Sequence, residues 1–215
     1  MNYSIQDIIK EVRLALDENE ISVPLIAIAD NDTLSLNAII SQKLVHAVRS
    51  VTQESPSNLL DGGVSFATTV TWESGVSGKG MGYTTLPDDF MRLVVFQMSD
   101  WHRPVLDPIE DSDPIYLLQK SKFSGIRGGV DKPICAITTY PEGKVMEFYS
   151  CIGGLTVTVK MAKYIPYPSI VNDNISICPK LLIPVIYYTA GLVCSTYKDK
   201  EHADVLFSIA KDYLK

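Results

Sequence analysis

Apolar side chains at Ile5, Ile8, Ile9, Val12 and Leu16 recur every three or four residues, the spacing of one helix face. Ser4, with an acid at Asp7, stands where a capping residue would start that helix. Ile21–Ala29 is apolar around Pro24 and reads as extended chain or a short turn. Asp32 or Thr33 is expected to cap a second helix. Its buried stripe would be Leu36, Ile40, Leu44, Ala47, Val48 and Val51, with Lys43, His46 and Arg49 mostly outside it. Ser55-Pro56-Ser57-Asn58 and Asp61-Gly62-Gly63 close this helical part.

The period then changes from helical to two. Val64, Phe66, Thr68, Val70 and Trp72 alternate as in a strand with one buried face. A Gly-rich stretch over 75–82 predicts a loop or hairpin tip. Met91–Met98 reads as a strand, with Arg103–Leu106 pairing back to it. Ile134–Tyr140, Val145–Tyr149 and Leu155–Lys163 are three further strands, separated by Pro141-Glu142-Gly143 and Gly153-Gly154. Between these groups Asp113, before Pro114, is expected to cap a short helix that ends near Lys120.

Helix returns in the last forty residues. Leu181–Cys194 is apolar on nearly every face, so this helix needs cover on several sides. Pro184 requires either that the helix start there or that it bend. A last amphipathic helix from about Lys200 presents Val205, Leu206, Ile209, Ala210 and Leu214. Helices, then strands, then helices predict an α+β chain. The expected arrangement is a helical core from both termini, residues 1–61 and 171–215, with an antiparallel β-subdomain over 62–170 inserted between them.

Composition narrows the class without naming a function. The 215 residues are 46% hydrophobic and 20% charged, as in a globular chain. A net charge of −6 argues against a protein whose main task is gripping nucleic-acid phosphates. Residues 1–110 carry a net −8 and residues 111–215 a net +2. The start has no basic segment followed by an apolar one, so no secretory signal is expected. Leu181–Cys194 is fourteen residues, short of the roughly 20 that a membrane span needs. Cys135, Cys151, Cys178 and Cys194 lie too far apart for a zinc site and are expected as reduced packing residues.

No grouping nominates a reaction. Glu73–Gly80 resembles a phosphate loop, but Glu73 stands where a glycine is needed and Gly80 where Ser or Thr would hold magnesium. Gly78 and Gly80 are followed by Tyr83, not by the third glycine of a dinucleotide loop. His46, His102 and His202 share no metal or triad spacing, and no partner for them is evident. Asp107, Glu110, Asp111 and Asp113 form an acidic cluster without calcium-loop spacing. Asp88 and Asp89 are expected to turn the chain through side-chain to backbone hydrogen bonds. The expectation is therefore no enzyme, no cofactor and no metal. Lys120, Lys122, Arg127 and Lys132 surround Phe123 in a Gly-rich loop. That loop suits contact with an acidic partner, plain solvation, or contact with DNA.

Two segments carry a resemblance. Tyr83-Thr84-Thr85-Leu86-Pro87-Asp88-Asp89-Phe90-Met91-Arg92-Leu93-Val94 resembles the Leu-Pro-acid-Asp-Phe strand entry of head-to-tail connector and adaptor proteins of short-tailed bacteriophages. The stretch from Cys178-Pro179-Lys180 through Tyr187-Tyr188-Thr189-Ala190-Gly191 to Cys194, then Tyr197–Lys200 and Ala203, is similar to their apolar C-terminal helices. The nearest likeness there is to ring proteins of crAss-like phages. Lys122-Phe123 through Arg127-Gly128 and Lys132-Pro133 adds to the likeness.

The resemblance implies a virion protein without catalysis, assembled in the host cytoplasm into a ring, usually of twelve copies, at the head–tail junction. Such a ring binds the portal protein and further tail proteins, and passes DNA without reading its sequence. No membrane partner is implied. Leu86, Pro87, Asp89 and Phe90 would fix the turn into the β-subdomain. Phe123, Ile126, Arg127 and Lys132 would form a docking loop. Leu181, Val185, Tyr188 and Leu192 would pack the long helix. A tail-terminator or tube-joining protein is the alternative, and an enzyme with an unrecognised site the last.

Overall fold

The computed structural model of the protein describes residues 1–16, 35–60, 62–66, 69–73, 80–121, 123, 125–149, 151 and 157–215. In chain order these form β1 (Asn2–Ser4), α1 (Ile5–Ala15), α2 (Leu36–Glu54), β2 (Val64–Ser65), β3 (Thr71–Trp72), β4 (Gly82–Thr85), β5 (Phe90–Met98) and β6 (Ile109–Glu110). There follow α3 (Pro114–Gln119), β7 (Cys135–Tyr140), β8 (Gly143–Phe148), β9 (Val159–Pro166), β10 (Ile170–Val171), β11 (Asn174–Ser176), α4 (Leu182–Thr196) and α5 (Lys200–Asp212). The fold is mixed α+β. It divides into two compact units, residues 1–62 with 167–215 and residues 63–166. Gly62 and residues 167–170, assigned to the β-subdomain from the sequence, belong to the helical unit.

In the helical unit, α4 is the central element and packs against α1, α2 and α5. That contact explains an apolar helix with no polar face. Ile8, Ile9 and Val12 of α1, Ile40, Leu44 and Val51 of α2, and Val185, Ala190 and Val193 of α4 are all buried. Leu181 and Val185 are fully buried, and Tyr188 and Leu192 half-buried. Pro184 costs α4 no helical hydrogen bond. A 3-10 turn over Pro179–Leu181 leads into α4 at Leu182, which puts Pro184 in the first turn, where a backbone N–H has no helical partner anyway. Gly191 admits α5 closely: a Cβ there would lie 2.7 Å from the Phe207 ring.

Three expectations about this unit change. Ser4 precedes α1 but its side chain caps nothing, since its residue is already paired in β1 and the Ile5 N–H donates to the Asp173 carbonyl. The cap of α2 is Ser35, whose Oγ accepts from the Ala38 N–H. The segments Ile21–Ala29 and Asp32–Thr33 lie outside the described residues. Val205, expected in the buried stripe of α5, is 57% exposed, while Leu206 and Ala210 are buried. A small antiparallel sheet, β1-β11-β10, also belongs to the unit and was not foreseen. Its hairpin turns at Asn172-Asp173, both at positive φ, as a two-residue turn requires.

The second unit has two sheets, β2-β9-β5 and β3-β4-β8-β7-β6. All pairs are antiparallel except β6 with β7, one parallel pair in a subdomain expected to be antiparallel throughout. Side chains of both sheets meet in one core around Phe66, Leu93, Phe96, Met98, Met146 and Phe148. Phe96 stacks on Phe148 at 6.2 Å. The alternating run from Val64 to Trp72 is not one strand. β2 joins β9 in one sheet and β3 joins β4 in the other; Phe66, Val70 and Trp72 pack on the shared core, whereas Val64 is exposed. Val105 bridges Phe96, as the sequence predicted for Arg103–Leu106.

Candidate functional site

The Leu86–Phe90 turn is built from two apolar anchors and one carboxylate. Leu86 and Phe90 are buried in the sheet core. The Phe90 N–H donates to the Pro87 carbonyl at 3.0 Å, which closes the turn. Asp89 does not bond the backbone as expected. Its Oδ1 accepts from the Tyr164 hydroxyl at 2.8 Å, and the Tyr164 ring stacks on Phe90 at 5.7 Å. Burial, then Asp89, pushes the Tyr164 phenol up to about 12. This turn is a structural joint between β5 and β9.

The segment from Leu106 to Ile126 has a different character. Leu106, Ile115, Leu117, Leu118, Phe123 and Ile126 are 41–74% exposed, an unusual density of apolar surface for one stretch of chain. The same segment buries polar groups. Asp113 Oδ1 accepts from the Ile115 N–H and starts α3. Tyr116 and Gln119, three apart and therefore on one face, turn inward. The Gln119 side chain is 1% exposed; its amide donates to the Ile115 carbonyl, and its Oε1 accepts from the Gly128 N–H at 2.8 Å. Thus α3 is amphipathic in reverse, with its polar face inside and its leucines outside.

Behind α3 lies Glu147 of β8, 2% exposed. Its carboxylate accepts from Tyr140 at 2.6 Å, from Tyr116 at 3.1 Å, and from Tyr149. Burial, and next the bond to Glu147, push the Tyr140 and Tyr149 phenols well above their ordinary value. Lys120 Nζ lies 4.9 Å from the centre of the Tyr116 ring. Contact with Tyr116 raises the Lys120 pKa, burial takes part of that back, and Glu147 raises it further. The network ties α3 to the sheet through Tyr116 and to the loop that follows it through Gln119.

The loop after α3 is also held. Phe123 and Ile126 point outward around a turn in which the Ile126 N–H donates to the Phe123 carbonyl. Arg127 turns inward, with Nη1 3.1 Å from Met81 Sδ. Lys132 is exposed, and its backbone pairs with Gly129. His102 Nδ1 is 2.6 Å from Asp131, and the Arg103 side chain donates to the Asp131 carbonyl. Lys122 and the loop residues 74–79 lie outside the described residues. Of the four residues expected in a docking loop, two present apolar surface, one is exposed charge and one packs inward.

Partners do exist for two histidines, Asp131 for His102 and Asp199 for His202, where the sequence nominated none. Both pairs are largely open to solvent, and the His202–Asp199 pair also borders an apolar groove of the helical unit. His46 is exposed on α2. All four cysteines are free thiols. Burial raises the pKa values of Cys135 and Cys151, so both stay protonated and poor as nucleophiles or ligands. Among the described residues no group of His, Cys, Asp and Glu side chains has the geometry to hold a metal ion. A groove of about 370 Å³ in the helical unit is lined mainly by apolar side chains, among them Leu16, Leu36, Val193 and Leu206. Among the described residues no helix is long and apolar enough to cross a membrane. Neither the models of known protein families nor the curated proteins include a match to the chain.

Proposed function

We propose that this chain is a non-enzymatic virion protein that forms an oligomeric ring between the portal and the tail of a short-tailed bacteriophage. The observation that carries the proposal is the reversed amphipathicity of α3 and the loop after it. Exposed apolar surface of this density marks a protein contact. Here it is presented on a frame fixed by buried hydrogen bonds, as a preorganised docking element is. The resemblance at Leu86–Phe90 and along α4 supplies the identity of the assembly. Passing DNA would meet a mildly acidic protein that does not retain it. Mass measurement by native mass spectrometry, alone and with portal protein, tests the proposal. A small species alone and a ring with portal are expected. Absence of a ring under both conditions overturns it.

A further inference from the structure

The two ends of α3 are oppositely charged. Glu110 and Asp111 are exposed just before it, with Asp113 as its cap, and Lys120 is exposed just after it. Leu117 and Leu118, 74% and 48% exposed, lie between. A six-residue helix spans about 9 Å, so the acidic residues, the leucines and Lys120, whose amine rests over the Tyr116 ring, lie along one short stretch of surface. Such a patch is complementary to itself. Rotated about a two-fold axis, its acidic edge meets a basic edge and its leucines meet leucines. A head-to-tail contact would need the two edges on opposite faces of the chain, and here one short helix separates them.

We infer that free copies of this chain pair through α3, antiparallel, with Glu110 and Asp111 of one copy facing Lys120 of the other around a centre of Leu117 and Leu118. The pairing stands on α3 alone. If the ring proposal also holds, pairing covers the docking surface until an assembly partner displaces the second copy, which guards against premature association.

Sedimentation equilibrium of the full chain across the micromolar range tests this. A dimer is expected, and Leu117→Asp should weaken it about 30-fold or more while leaving the far-ultraviolet dichroism of the folded chain unchanged. Asp111→Lys and Lys120→Glu should each weaken the dimer, and an equimolar mixture of the two variants should pair again as a heterodimer. Should Lys120→Glu fail to fold beside Glu147, salt carries the charge test. The parent dimer must then weaken as salt is added, and Asp111→Lys must weaken it at low salt. A monomer at all concentrations, a dimer indifferent to Leu117→Asp, folded charge variants that do not re-pair, or a dimer indifferent to salt overturns the inference. A dimer that never forms a ring with portal sinks the ring proposal alone; a ring built from chains that never dimerise sinks the pairing alone.

Discussion

Replacing Glu147 with leucine removes the acceptor on which three tyrosine hydroxyls converge. Hydrogen bonds to a charged group contribute roughly 1.5–3 kcal/mol each, so the gross loss is about 5–9 kcal/mol. Two effects reduce it. Leucine does not carry the penalty of several kcal/mol for keeping a charge out of water. Tyr116 and Tyr140 are only half-buried, so their hydroxyls can turn to solvent. Tyr149, 2% exposed, cannot, and its orphaned hydroxyl costs about 1–3 kcal/mol. The expected net loss is about 2–4 kcal/mol. Glu147→Gln keeps one carbonyl acceptor and offers an amide to Tyr140, so its loss should be about 1–2 kcal/mol. Both tryptophans, Trp72 and Trp101, lie in the β-rich unit, and the Trp72 ring meets Phe148 edge-on at 5.4 Å. Tryptophan fluorescence during urea unfolding therefore reports on that unit alone. Amide exchange over 115–128 should accelerate in parallel, because Tyr116 loses its anchor. A leucine variant as stable as the parent to within about 0.5 kcal/mol, with exchange in α3 unchanged, would refute the role given to this network.

Other perturbations address single contacts. Gly80→Ala should abolish folding of the β-rich unit, read as loss of the near-ultraviolet dichroism of its tryptophans. The backbone there has φ +76° and a Cβ would lie 1.7 Å from the Cys151 carbonyl oxygen. Gly191→Ala should lower stability by about 1–2 kcal/mol in thermal melting followed at 222 nm, since overpacking against Phe207 outweighs the gain in helix propensity. Adding Phe207→Leu should recover most of that loss. NMR titration should place the His202 pKa above 6.5, because hydrogen bonding to Asp199 and its charge favour the imidazolium. A raised folded-state pKa means that this contribution is complete below the unfolded value and is lost as pH rises through the folded one. Asp199→Asn should return His202 toward 6.5 while keeping the cap of α5.

The helices were legible because their apolar stripes repeat locally. The stripe of α2 and the cap of α3 at Asp113 need no knowledge of the rest of the chain. The strand pattern was legible only in part. Alternation over Val64–Trp72 picked out Phe66, Val70 and Trp72 as core residues but also Val64, which is exposed, and since two facing sheets share the core it does not say which sheet each strand joins. Strands β1, β10 and β11 are too short to show a period, although Asn172-Asp173 between Val171 and Asn174 is a hairpin signal that could have revealed two of them. The docking segment was legible as a short helix and a basic loop, and its reversed polarity was not. Inward Tyr116 makes sense only beside Glu147, 31 residues away in the chain, and inward Gln119 only with the Gly128 N–H that the following loop brings back to it. For the same reason Asp131, 29 residues away, was invisible as the partner of His102, whereas Asp199 lies three residues before His202 at the start of α5 and was legible from local spacing.

The helical unit is completed by segments on either side of residues 63–166, and this orders events during synthesis. β1 pairs with β11, and α1 and α2 need α4, so neither can close before the last fifth of the chain has been made. At about 5–20 residues per second, the intervening segment takes roughly 5–20 s to emerge. For that interval the faces of α1 and α2 that carry Ile8, Val12, Ile40 and Leu44 lack α4, and the β-rich unit is complete only at its end. A chain that ends near residue 170 once released would therefore carry the complete β-rich unit and two helices without their partner, the species on which a holding chaperone would act.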